Sequence, residues 1–120
     1  MKAACAALCI SLAASVPAVG QEVSYSGLYR DRDGTCDASL VGKPGGAVKI
    51  TPSEIVAPRG RCVFTSRTRV SRMPAELRDA ACAPASGGQK INERFFIFAD
   101  PRGVTVVSKS WGTWALAKCP

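Results

Sequence analysis

Five arginines, Arg59, Arg61, Arg67, Arg69 and Arg72, fall within fourteen residues that contain no acidic side chain. A guanidinium presents a planar fork of N–H donors that fits carboxylate or phosphate, so arginines repeated along a strand form a grip for a polyanion. The local pattern supports that use. In residues 61–70 the apolar Cys62, Phe64 and Val70 fall at even positions, while Arg61, Thr65, Arg67 and Arg69 fall at odd ones. That is the period of a strand with one buried face. Only Val63 breaks it, joining the outer set. An extended backbone would align Arg59, Arg61, Arg67 and Arg69 on one face. The competing use of such a row is a solvated face that guards a strand edge against unwanted pairing. Among polyanions, nucleic acid is disfavoured. Its single-strand readers interleave exposed aromatics with the charge, and the nearby Phe64 belongs to the opposite, apolar face.

Other chemistry is limited by what is missing. The chain has no histidine, so neither a Ser-His-Asp nor a Cys-His relay can be built, and zinc sites that use histidine are excluded. Glu54, Glu76 and Glu93 could serve as general acids or bases. A glycosidase pair must sit roughly 5–10 Å apart across a cleft, and nothing in the sequence brings two of these together. Asp31, Asp33 and Asp37 read as a fragment of an acidic calcium loop, but the distal Glu is absent and an Asp-Gly turn explains them better. Trp111 and Trp114 flank a turn. One is expected in the core and the other across a barrel end, with a ligand-facing tryptophan as the alternative. The expectation is a protein that is not an enzyme and needs no cofactor or metal.

The N-terminus suggests where it works. Met1 and Lys2 precede an apolar run from Ala3 to about Ala14, closed by Ala18, Val19 and Gly20. This is the layout of a cleaved secretory signal, which predicts a leader over residues 1–20 and a single domain over 21–120. The apolar run of about 12 residues is short of the roughly 20 that span a bilayer, and no other stretch could span one. Leu8 directly before Cys9 does not suit lipidation. Beyond the leader stand Cys36, Cys62, Cys82 and Cys119, with no C-x-x-C pair. In a small exported domain four such cysteines read as two disulfides rather than a zinc site. Of the three possible pairings we favour Cys62–Cys82, joining neighbouring strands, and Cys36–Cys119, tying the start of the domain to its last residues. Localisation is therefore the periplasm or the exterior. The net charge is +7 for the whole chain and one less once Lys2 leaves. Such a balance favours an anionic envelope component or an acidic protein as partner.

The elements that must position these residues are short. Apolar runs alternate with Gly, Pro, Asp and Ser punctuation, the mark of an antiparallel meander. Strands are expected at 27–30, 48–51, 54–56, 61–70, 91–98, 104–107 and 114–117, with Asp100-Pro101-Arg102-Gly103 as a turn. Residues 74–82 read equally as a strand or a short helix, since Pro74 suits a first helical turn and the segment is rich in helix formers. The predicted fold is all-β, a small antiparallel barrel or sandwich of six to eight short strands stapled by two disulfides. In size, leader and cysteine layout the chain resembles small periplasmic β-barrel domains, bacterial lysozyme inhibitors among them. No functional position follows from that resemblance. The expected role is non-enzymatic binding at the envelope. The alternatives are an inhibitor or immunity protein against an exported enzyme, and a carrier of a small apolar ligand. The positive charge argues against a basic lysozyme as the target.

Overall fold

Alternation decides which side chains line the interior, and closure of the sheet decides where the rest go. The structure, a computed structural model, describes residues 24–120; the leader expected at residues 1–20 lies outside them. The strands are β1 (Gly27–Arg30), β2 (Val48–Ile50), β3 (Glu54–Ala57), β4 (Gly60–Phe64), β5 (Thr68–Arg69), β6 (Ala75–Pro84), β7 (Ile91–Asp100), β8 (Gly103–Ser108) and β9 (Gly112–Lys118), with one 3-10 turn at Ala38–Leu40. Eight of them, all but β5, form an antiparallel meander in chain order, and β9 returns to pair with β1. The result is a closed barrel, an arrangement that leaves no free edge in the ring. The short β5 shares an edge of β6 with β4: Phe64 stands opposite Ala80, and Thr68 opposite Leu77.

Inward positions carry Ile50, Ile55, Cys62, Phe95, Ile97 and Val106, all sealed from solvent. Their burial supplies the main drive for folding. The opposite parity faces out, and Val63 is 46% exposed there. The segment left open between strand and helix is a strand, β6. Its neighbours β4 and β7 hydrogen-bond to both of its edges, and such tertiary pairing overrides local helix propensity. Its alternate residues Glu76, Arg78, Ala80 and Cys82 point inward and are buried.

Both favoured disulfides are present. Cys62 and Cys82 face each other directly across the β4–β6 ladder, with Cα atoms 4.0 Å apart. Cys36, in the long β1–β2 connection, bonds Cys119 just past β9. The Cys119 backbone N–H donates to the Leu28 carbonyl, so this bond locks the seam where the barrel closes. Gly103 marks a second tight point. A Cβ there would lie 1.9 Å from the Leu116 carbonyl oxygen, so only glycine lets β8 lie this close to β9. Among the described residues no helix is long and apolar enough to cross a membrane.

Candidate anion-binding surface

The five arginines singled out in the sequence do not form one row. β4 ends at Phe64, and the Thr65 N–H turns to the Asp79 carbonyl. When the chain re-enters the sheet at β5, Arg69 lands opposite the inward-facing Glu76. Arg61 does point outward, but its Nε donates to Glu54 at 2.6 Å. Arg59 sits in the β3–β4 turn, where its Nη1 donates to the Trp111 carbonyl at 2.6 Å and its guanidinium lies 4.9 Å from the Trp114 ring centre. Arg67 is at the other end of the barrel, 2.7 Å from Glu76 Oε1. Arg72 is exposed in the β5–β6 connection, with φ of 62°. Arg59, Arg61 and Arg67 are thus each engaged by a partner within the molecule.

The partners of these arginines explain the candidate acids. Glu76 is 1% exposed, a position a lone carboxylate does not tolerate. Tyr25 donates its phenol proton to Glu76 Oε2 at 2.5 Å, and Arg67 Nε donates to Oε1 at 2.8 Å. Arg78 donates from Nη1 to the Tyr25 hydroxyl and from Nη2 to the Pro52 carbonyl, with its guanidinium 4.2 Å from the Phe64 ring centre. An ionic plug therefore closes the lower end of the barrel. Burial, together with the hydrogen bond to Glu76, pushes the Tyr25 phenol up to about 12. Glu93 is buried near the other end and accepts the Ser110 N–H. There Trp111 meets Phe95 and Trp114 edge to face, at centroid distances of 5.1 and 5.8 Å. Trp114 is inside the barrel and Trp111 lies across it, half-buried. The Trp114 indole N–H stops short of hydrogen-bond geometry. It is nonetheless the leading influence drawing the Asp31 carboxyl below its usual range, followed by the Arg32 backbone N–H. Asp37 accepts from Ser39 at the start of the 3-10 turn.

A different arginine cluster stands open. Arg30, the last residue of β1, faces out opposite Ala117 of β9, and Ala117 is opposite Gly103 of β8. Arg32 follows β1, and Arg102 lies in the β7–β8 turn. The three arginines line one hollow of about 280 Å³ whose floor includes Thr105 and Ala115. Small residues at Ala117, Gly103 and Ala115 leave room for guanidiniums from both sides. Asp100 also lines the hollow, but its Oδ1 accepts the Arg102 and Gly103 backbone N–H groups at 2.7 and 3.0 Å. Among the described residues, the side chains of Arg30, Arg32 and Arg102 have no hydrogen-bond or ion-pair partner. Sequence reasoning missed this cluster because its members are far apart in the chain and only barrel closure unites them. The available signals were modest: outward parity of Arg30 beside the apolar Tyr29, and Arg102 inside a recognisable turn.

Comparison with family models, curated proteins and solved structures finds no match for this chain.

Proposed function

We propose that this protein is a non-catalytic binding module of an oxidising compartment, the periplasm or the exterior, and that it holds an anionic partner with the hollow formed by Arg30, Arg32 and Arg102. One observation carries the reading: three arginines line one hollow and none of their side chains pairs with another described residue, while Asp100, the carboxylate there, is engaged by the Arg102 and Gly103 backbone N–H groups. An oxyanion seated among guanidiniums that have no partner of their own accepts paired hydrogen bonds and balances their charge. The net charge of +7 adds long-range attraction. The two disulfides are compatible with such a compartment. The filled interior, with Phe95, Ile97 and Val106 sealed, favours an outer-surface site over an apolar ligand carried within.

The test is retention on immobilised heparin across a salt gradient. The protein should be retained at low salt and released steeply as salt rises. The variant with Arg30, Arg32 and Arg102 all changed to Ser should pass unretained, while Arg61→Ser should elute close to the parent. A triple variant that elutes with the parent would remove the hollow from consideration.

A further inference from the structure

The hollow continues into an apolar strip on the same outer surface. Thr105, on its floor, stands opposite Phe98 of β7, and Phe98 opposite Ala75 of β6. One step up the sheet, Val107, Phe96 and Leu77 form a second outward row across β8, β7 and β6. All four large side chains, Phe98, Val107, Phe96 and Leu77, are only half-buried. The strip extends at the lower rim. The Pro74 carbonyl accepts the Ala99 N–H, which sets Met73 beside the turn that carries Arg102. Met73 is 42% exposed.

We infer that this face docks on an anionic lipid surface. The inference rests on the proposed anion-binding role of the hollow and names the partner. A soluble polyanion asks only for positive charge, which the three arginines supply. It gives no reason for Met73 to stand 42% exposed beside them, next to phenylalanines that are only partly covered. A lipid leaflet offers both complements together: phosphates for the guanidiniums and an apolar boundary for Phe98 and Met73. The two kinds of surface meet at the lower rim: Arg102 lies in the β7–β8 turn, Phe98 stands near the end of β7, and Met73 adjoins Pro74, whose carbonyl accepts the Ala99 N–H. A rim of this kind can meet a leaflet end-on, while Arg30 stands two strands from Gly103, about 10 Å round the barrel. Binding would be peripheral and reversible, with the barrel intact.

The experiment is sedimentation with vesicles of phosphatidylcholine alone and of phosphatidylcholine mixed with phosphatidylglycerol, run beside the heparin column. The parent should sediment with the phosphatidylglycerol vesicles only. Changing Arg30, Arg32 and Arg102 together to Ser should weaken partitioning roughly a hundredfold, about fivefold per arginine. Met73→Ser and Phe98→Thr should each weaken it several-fold while leaving heparin retention unchanged. Met73→Ser alters an exposed side chain, so it keeps the test valid if Phe98→Thr unfolds. Heparin retention without vesicle binding would overturn the lipid partner and leave the anion-binding role standing. Loss of both in the parent would overturn both. Vesicle binding indifferent to Met73→Ser would remove this face as the interface.

Discussion

Tyr25 and Glu76, 51 residues apart in the chain, meet in a 2.5 Å hydrogen bond inside the barrel. The phenol donates, the carboxylate accepts, and Arg67 and Arg78 flank the same carboxylate. Glu76 is therefore a buried charge kept in place by two cations and a hydroxyl. The tyrosine that binds it also plugs the lower end, and Tyr29 donates back to the Tyr25 carbonyl at 2.7 Å.

Glu76→Gln should be costly. The change preserves shape but leaves Arg78, itself 7% exposed, without its counter-charge. Breaking one partner of a buried ion pair costs about 3–5 kcal/mol, a large part of a small domain's stability. Denaturant titration of Glu76→Gln should show an unfolding free energy lowered by that amount, read as an earlier midpoint at unchanged slope. An unchanged midpoint would mean that the plug does not stabilise the fold.

The same geometry predicts an alkaline transition. The Tyr25 phenol is raised to about 12, and burial raises Tyr29 as well. A group whose folded pKa is raised contributes stability that is whole below its unfolded value of about 10. That contribution is lost as pH climbs through the folded value. Stability should therefore fall between about pH 10 and 12. The chain has only these two tyrosines, so phenolate absorbance reads them alone. At about pH 11 the native protein should show less phenolate than the urea-unfolded chain, which should be largely ionised, because Tyr25 is raised to about 12 and Tyr29 is raised as well. Native ionisation near pH 10 would contradict the buried Tyr25–Glu76 bond.

The disulfides should differ in access as well as in strength. Cys62 and Cys82 are 0% and 3% exposed, so mild reductant should open Cys36–Cys119 first. Alkylation followed by mass analysis reads the order. By the chain-entropy model, the loop of sequence separation 20 is worth about 3 kcal/mol and that of separation 83 about 4.5 kcal/mol. Losing Cys36–Cys119 should also loosen the β1–β9 seam and so separate Arg30 from Arg102. The Cys36→Ala, Cys119→Ala variant should accordingly lose heparin retention along with stability. Full retention in that variant would show that the arginines act independently of the seam.

Much of the architecture was legible in the residues. Alternation in residues 61–64, the β-branched run at 104–107 and the Gly, Pro and Asp turns each act locally, and period two can mean only a strand with one face buried. Both cysteine pairings favoured from the sequence, out of three possible, are present. The sequence could not resolve residues 74–82. Ala, Leu and Glu favour a helix in isolation, and only β4 and β7, bonding both edges, make them β6. Nor could it foresee the break after Phe64, because strand parity carries no record of where a neighbour stops pairing. That break turns Arg67 and Arg69 toward Glu76 and dissolves the expected row. The open arginine cluster is the reverse case. Arg30 and Arg32 come near the start of the domain and Arg102 late, and they meet only because β9 closes on β1. Local pattern thus determined the strands and their faces, while closure of the sheet decided which charges are spent inside the molecule and which remain for a partner. The physical reason is that a side chain's period depends on its own backbone, whereas its neighbours depend on register between strands distant in the chain.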